Sequence, residues 1–179
     1  MQYLSIVLGL AAAASAIDVR IHAGSNCDRG AYECLNLTPN RCCYVESGLY
    51  GSIGFYGVPT NWNIECRGHS RSGDNRCGVQ KVTENLSGGT FKCLRGGGFT
   101  GAGYGFRGKK RSSEVCDAET SGQTCTEFQK ADVIVLEDGK KYLLSGMEES
   151  LLDELVQLAM NGTVAADIPE GFKKFEKAE

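Results

Sequence analysis

Two histidines and one nearby carboxylate are the residues of this chain best suited to acid and base chemistry. His22 and His69 are its two histidines, and Glu65 lies close to the second in sequence. An imidazole pair with a carboxylate can perform the proton transfers of a ribonuclease. A serine triad is less well supported, because no G-x-S-x-G elbow occurs and Ser70 is a direct neighbour of His69. These residues predict a small secreted hydrolase or ribonuclease that uses His22 or His69.

A basic and aromatic segment is the second candidate, and it favours binding over catalysis. Ten basic residues lie between Arg67 and Arg111, opposed by only Asp74 and Glu84. Aromatic and basic side chains together can stack on and neutralise an anionic polymer, such as a wall polysaccharide or a nucleic acid. The predicted binding residues are Tyr104, Phe106, Arg107, Lys109, Lys110 and Arg111. A related alternative is a cell-wall or glycan-binding module that uses Trp62 with Tyr104 and Phe106.

The glycine-rich run GGGFTGAGYGFRG, residues 96–108, matches G-x-G-x-x-G twice. The following helix and acidic residue of a dinucleotide site are missing, so a glycine-rich strand with bulges is the better interpretation. No C-x-x-C pair occurs, and we therefore predict neither a metal site nor a cofactor. Lys110-Arg111 also matches a dibasic processing site of the secretory pathway.

Nine cysteines lie in the first 125 residues and none follows. We expect eight of the nine to be paired, whereas the odd one allows a disulfide-linked homodimer. Cys42 and Cys43 are neighbours in a strand, so they should point to opposite faces and pin that strand to two different elements. The cysteines are Cys27, Cys34, Cys42, Cys43, Cys66, Cys77, Cys93, Cys116 and Cys125.

The N-terminus predicts secretion. An apolar stretch from Leu4 to Ala14 closes on a small-x-small site at Ala16, which is typical of a signal peptide over residues 1–16. No later segment is long and apolar enough to span a membrane. Asn36, Asn85 and Asn161 each begin an N-x-[ST] sequon and are predicted glycosylation sites. We expect a secreted, extracellular glycoprotein.

Short apolar runs broken by turn residues predict a fold of class α+β. Residues 17–22 alternate between apolar and polar side chains, which predicts a half-buried strand with His22 on its polar face. We divide the mature chain into a cysteine-rich β domain, 17–125, and an acidic segment, 126–179, packed on the same domain. The expected architecture is a small β-rich body stapled by disulfides, followed by a C-terminal β-hairpin and a helix.

The C-terminal segment carries clear local signals. Asp138-Gly139 lies between the apolar runs 133–136 and 141–144, which predicts a β-hairpin. Ser145 with Glu148 forms a capping box for a following helix, and Gly162 is placed to end it. A short helical turn after Pro169 is expected to place Phe172 and Phe175 on one side.

The apolar leader, the dense cysteine block with its Cys42-Cys43 pair and the sequons resemble the class of small secreted cysteine-rich fungal proteins. This resemblance implies an effector-like function in virulence or in eliciting host responses. It implies no particular functional residue. We favour a non-enzymatic protein that binds a host protein or another extracellular target.

Overall fold

The computed structural model describes residues 16–107 and 127–178. Strands account for 49% of the residues and helices for 15%, which confirms a β-rich, disulfide-bonded body with modest helix content. Its elements are β1 (Ile17–His22), β2 (Ala31–Leu37), β3 (Cys42–Tyr44), β4 (Tyr50–Tyr56), β5 (Asn63–Ser72), β6 (Asn75–Ser87), β7 (Phe91–Phe99), β8 (Gly101–Phe106), β9 (Phe128–Lys130), β10 (Val133–Val135), β11 (Lys141–Leu143) and α1 (Glu149–Met160). Two 3₁₀ helices follow, Ala165–Asp167 and Glu170–Phe175.

The strands form a sandwich of two sheets. Sheet A has the order β11-β10-β2-β1-β4-β7, and sheet B has the order β6-β5-β8-β3-β9. Val19 pairs with Phe55 and Ile21 with Ile53 on the inner face of sheet A, and all four side chains are buried in the main core. Their strand neighbours, including Arg20 and His22, point to the outer face. The predicted strand at residues 17–22 is therefore confirmed.

Two adjacent cysteines fasten β3 in two directions. Cys43 faces the core and is bonded to Cys34 of β2, which joins the two sheets. Cys42 faces outward and is bonded to Cys77 of β6. This confirms the prediction from the Cys42-Cys43 pair. A third bridge joins Cys27, after β1, to Cys93 of β7; disulfides that close loops of such lengths typically contribute about 2 to 4 kcal/mol each.

Cys66 is the unpaired cysteine of the described ranges, and its side chain is fully buried in the main core. A thiol in that position cannot reach a second chain while the sandwich is folded. Cys116 and Cys125 lie outside the described residues, so the pairing of eight cysteines stays a prediction.

The glycine-rich run is explained by packing. In β8, Ala102 and Tyr104 point into the core, whereas Gly101, Gly103 and Gly105 alternate with them on the outer face of sheet B. Other parts of the chain lie directly over these glycines. A Cβ at Gly101 would collide with the Sγ of Cys77, and one at Gly103 would lie 3.0 Å from the backbone oxygen of Arg41. The glycines therefore let the β5–β6 hairpin tip and the β2–β3 loop cross the sheet.

The C-terminal segment extends sheet A and covers the inner face of the strands that it adds. The predicted hairpin is confirmed, with β10 and β11 flanking the Asp138-Gly139 turn and β10 pairing with β2. Leu155 and Ala159 of α1 pack in a second core with Ile134 of β10. The boundary that we place after residue 125 stays a prediction.

The helix ends as expected but begins differently. Gly162 has φ +81° and its N–H donates to the Ala159 carbonyl, as a C-terminal cap requires. The predicted capping box is wrong, because α1 begins only after Glu148 and no side chain caps it. Ser145 is instead part of a tight turn after β11, in which Gly146 has φ +74°. Phe172 is buried and Phe175 packs beside it, as predicted.

We expect Gly101→Ala to lower the free energy of unfolding by about 1 to 3 kcal/mol, because the added methyl group must displace the disulfide sulfur of Cys77. Denaturant unfolding of the oxidised protein measures the loss. Gly171→Ala is the matched control, since nothing lies within 4 Å of a Cβ at that position. Equal unfolding midpoints for the two variants would contradict this explanation of the glycine run.

We also expect the Cys66 thiol to resist alkylation in the native protein. It is fully buried, and burial raises its pKa to about 12, so little reactive thiolate is present. Mass spectrometry of the peptide that contains residue 66, after alkylation with and without denaturant and without reductant, measures this protection. Rapid labelling of the native protein would show that the core position is wrong.

Candidate functional site

The outer face of sheet A carries a connected group of polar and aromatic side chains that the sandwich core does not use. Five strands contribute to it, and pairing across the sheet brings the residues to one face. We call this group the outer-face cluster. Its members are Arg20 and His22 of β1, Glu33 of β2, Tyr56 of β4, Phe91 of β7 and Lys141 of β11.

A buried carboxylate lies at the centre of the cluster. The Glu33 side chain is 0% exposed, although it lies on the outer face of a sheet. The Nε of Arg20 donates a hydrogen bond to Oε1 of Glu33 at 2.7 Å. The Nζ of Lys141 lies 2.8 Å from Oε2 of Glu33 and forms an ion pair with it, but the angles do not meet those of a hydrogen bond. A buried charge is tolerated only when it is paired in this way. Two cations against one carboxylate leave one positive charge in excess.

The ring of Tyr56 lies along the sheet surface. Gly54 leaves room for this ring, because a Cβ at position 54 would collide with it. The Arg20 guanidinium carbon lies 4.3 Å from the centroid of that ring, which is a cation–π contact. On β7, the strand on the other side of β4, the centroid of the Phe91 ring lies 4.8 Å from that of Tyr56. Phe91 is 46% exposed, so the cluster presents an aromatic surface to solvent.

His22 completes the cluster as a neutral group. Its Nδ1 lies 3.4 Å from the Arg29 carbonyl oxygen and its Nε2 lies 3.0 Å from the Tyr56 hydroxyl. Because a carbonyl can only accept, the ring donates through Nδ1 and accepts the Tyr56 proton at Nε2. Burial lowers the pKa of His22 to about 4. His22 thus holds Tyr56 in place.

His69 lies on the other sheet. It belongs to β5 and is 1% exposed on the outer face of sheet B, opposite Gly101. Within the described residues its Nδ1 has no hydrogen-bond partner. Burial, and then the charge of Arg67, lowers its pKa to about 4. His22 lies on the outer face of sheet A, so the two histidines are on opposite sides of the sandwich. The predicted cooperation of the two histidines on one substrate is therefore wrong.

The structure brings only some of the predicted binding residues to one surface. Tyr104 is fully buried in the core, where its hydroxyl donates to the Leu37 carbonyl at 3.0 Å, so its ring offers no stacking surface and that expectation is corrected. Phe106 is half-buried and its ring lies 4.8 Å from that of Trp62. Arg107 is exposed. Lys109, Lys110 and Arg111 lie outside the described residues, as does the predicted processing site.

The basic stretch that begins at Arg67 is dispersed over the molecule and largely paired. Arg67 contacts Glu65 at 2.8 Å, and Lys92 contacts Glu84 at 2.5 Å. Arg76 contacts Glu46 at 3.0 Å and holds the pKa of that carboxyl below its usual value. These residues therefore form no continuous cationic surface in the described part of the chain.

Sequence reasoning missed most of the outer-face cluster. The alternation in residues 17–22 does place Arg20 and His22 on one face, and that signal was available. Glu33, Tyr56 and Lys141 come from three other strands and join the cluster only through the sheet order β11-β10-β2-β1-β4. No local pattern encodes that order.

Both histidines should make the fold less stable in acid. Each histidine has a pKa of about 4 in the folded protein and 6.5 in the unfolded chain. Between pH 4 and pH 6.5 the unfolded chain therefore binds more protons than the folded protein. Stability is therefore full above pH 6.5 and is lost as the pH falls toward 4, by roughly 3 kcal/mol for each histidine at most.

Unfolding by denaturant at a series of pH values between 7 and 4 measures this loss. We expect His69→Asn to show a shallower decline than the unchanged protein, since it lacks one of the two groups that titrate in this window. A flat stability profile across this range would contradict the buried, neutral state of both rings.

Comparison with known proteins gives the chain relatives over nearly its whole length. It matches the family model of the ARB_05566 N-terminal domain over residues 18–132 and that of the ARB_05566 C-terminal domain over residues 137–179. A protein of Arthroderma benhamiae, named as an uncharacterized secreted protein, is 27% identical over 176 residues, which cover 94% of this chain and 89% of that protein. No solved structure shows significant similarity to the chain.

The secreted relative confirms the predicted localisation, and the protein is secreted. In residues 16–107 and 127–178, no helix has both the length and the apolar character needed to cross a membrane. The first of the two family matches alone spans more than half of the chain. The chain therefore belongs to the ARB_05566 family, with both its N-terminal and its C-terminal domain.

Proposed function

We propose that this secreted protein is a non-enzymatic, effector-like binding protein that contacts a host or other extracellular target through the outer-face cluster. The observation that carries the proposal is the fixed arrangement around Glu33. A fully buried carboxylate holds Arg20, and Arg20 in turn stacks on Tyr56 beside the exposed ring of Phe91. An arrangement of this kind on a solvent-facing sheet has no role in packing the two sheets together.

The composition of the cluster supports binding. Arginine, tyrosine and phenylalanine are enriched in binding interfaces, and arginine and tyrosine are common among the residues that dominate binding energy. Side chains that are already held in one conformation lose little entropy when a partner binds. Here Arg20 is held by Glu33, and Tyr56 is held by His22 and by its place over Gly54.

The surroundings of the cluster support a rigid surface as well. Phe91 lies on the edge strand β7, which the Cys27–Cys93 disulfide ties to the loop after β1. The bridge is two residues from Phe91, so this edge of the sheet is fixed close to the exposed ring. A hydrolase that used His22 would need access to a ring that is 4% exposed and bonded to Tyr56.

A glycan-binding function at Trp62 and Phe106, beside the loop that follows β4, is a second candidate. Trp62 lies beside Phe106, with ring centroids 4.8 Å apart, and above the buried Tyr104 at 6.4 Å. These aromatic residues are distant in sequence and meet in space, which supports the proposal. Because Tyr104 is buried, Trp62 and Phe106 are the residues that would contact the glycan.

We further propose that the protein is glycosylated. Asn36, Asn85 and Asn161 are all exposed, as an acceptor side chain must be. Asn85 lies on β6, an edge strand of sheet B, where a glycan would also obstruct pairing with another chain.

Phe91→Ala is expected to weaken target binding by about tenfold, because an exposed aromatic residue at a binding centre contributes about 1 to 2 kcal/mol. The measurement is the amount of host extracellular and wall material retained by the immobilised, oxidised protein. Phe128→Ala is the matched control, since Phe128 is 45% exposed on the edge strand β9 of sheet B.

Equal retention by the two phenylalanine variants would contradict the choice of the outer-face cluster as the binding surface. The effector-like part is tested separately, by applying the purified protein to host tissue and measuring the tissue response. A response that Phe91→Ala abolishes and Phe128→Ala preserves is the expected result. The absence of any response would contradict the effector-like function.

A further inference from the structure

We propose that the outer-face cluster binds an anionic polysaccharide, with an acidic group of the sugar on Arg20 and the sugar rings on Tyr56 and Phe91. The inference rests on the proposed function, because it names the chemical class of the target. It adds a place where an anionic polymer would bind to the basic segment, which stays a prediction.

Arg20 has unused hydrogen-bond donors. Its Nε is bonded to Glu33, and its guanidinium stacks on Tyr56. The guanidinium also hydrogen-bonds to the Tyr56 hydroxyl, and Glu33 is its only carboxylate partner among residues 16–107 and 127–178. A planar guanidinium has five N–H donors, so those that Glu33 and Tyr56 do not use can bind a carboxylate or a sulfate. Glu33 and Tyr56 already fix its orientation, so an incoming oxyanion meets a prearranged fork.

The local charge favours an anion. Arg20 and Lys141 share the single carboxylate of Glu33, so the centre of the cluster is positive by one charge. Asp18 and Arg95 also lie on this face, and Asp28 lies in the loop beside His22, so the excess positive charge is local to the Glu33 centre. In the described ranges no second carboxylate pairs with the guanidinium, and a ligand can supply one.

The aromatic surface favours a sugar over an acidic peptide. The centroid of the Tyr56 ring lies 4.3 Å from the guanidinium carbon and 4.8 Å from the centroid of the Phe91 ring. An acidic pyranose carries its charge beside a flat ring whose C–H groups can cover an aromatic side chain. An aspartate or glutamate side chain would satisfy Arg20 but has no flat surface for Phe91.

The position of the three side chains suits an extended polymer. Arg20, Tyr56 and Phe91 belong to β1, β4 and β7, which are successive strands of sheet A. Neighbouring strands are about 4.8 Å apart, so the contact surface extends for about 10 Å across the sheet. A chain that crosses the strands can therefore contact all three residues at once.

The test compares the affinity of the oxidised full chain for four polymers at one ionic strength: polygalacturonate, dextran sulfate, neutral dextran and poly-L-glutamate. We expect an anionic polysaccharide to bind at least about tenfold more tightly than neutral dextran or poly-L-glutamate. Binding to polygalacturonate identifies a carboxylate as the preferred group, and binding to dextran sulfate identifies a sulfate.

Four variants locate the site. Arg20→Gln and Phe91→Ala should each weaken polysaccharide binding by about tenfold, whereas Phe128→Ala should leave it unchanged. Arg20→Lys keeps the charge but loses the fork and should weaken binding by a smaller factor. Because Arg20 also pairs with Glu33, each variant is checked by thermal unfolding. Phe91→Ala removes an exposed ring, so it tests the site even if the Arg20 variants do not fold.

Several results would overturn the inference: poly-L-glutamate binding as tightly as the polysaccharides, no loss of affinity in Phe91→Ala, or no binding of either anionic polysaccharide. These outcomes differ from a failure of the proposed function. If Phe91→Ala loses the material retained from host extract while both anionic polysaccharides fail to bind, the binding function stands and only the assigned ligand class is wrong.

Discussion

The two disulfides of β3 are the constraint on which the sandwich depends. β3 has only three residues, too few for backbone hydrogen bonds alone to hold it between β8 and β9. Cys43 fastens it to the opposite sheet, and Cys42 fastens it to the tip of the β5–β6 hairpin. That second bridge requires the hairpin tip to lie across β8. The outward residues of β8 are glycines for this reason.

The two outer faces of the sandwich consequently differ. On sheet B, the chain itself covers the centre: the hairpin tip lies over Gly101 and the β2–β3 loop lies over Gly103. On sheet A, α1 closes the inner face of the C-terminal strands. The alternation of the strands decides which side chains lie on the outer face, since every apolar residue turned inward sends a neighbour outward. Val133 and Val135 are buried on that face, whereas Phe91 at its β7 edge is 46% exposed, so solvent reaches sheet A at the outer-face cluster.

The outer-face cluster has the energetic character of a functional surface. Burying Glu33 costs desolvation energy, and its ion pairs with Arg20 and Lys141 offset that cost without strengthening the core. The same pairs restrict Arg20 to one conformation above Tyr56. The buried, neutral His22 accepts the Tyr56 hydroxyl proton, and this bond also holds the Tyr56 ring beside Phe91. Stability and surface geometry are thus linked through one group of side chains.

Local signals in the sequence determined the strand at residues 17–22, the Asp138-Gly139 hairpin, the Gly162 helix end and the divergent bridges of Cys42 and Cys43. Each depends on residues within a few positions of one another, where periodicity and backbone geometry act directly. The Ser145 capping box failed because Gly146 forms a tight turn there first. Only the tertiary structure decided that Tyr104 is a core residue, that the histidines lie on separate sheets and that Glu33 lies between Arg20 and Lys141. Those outcomes depend on which strands are neighbours and in which register, and contacts between distant segments set both.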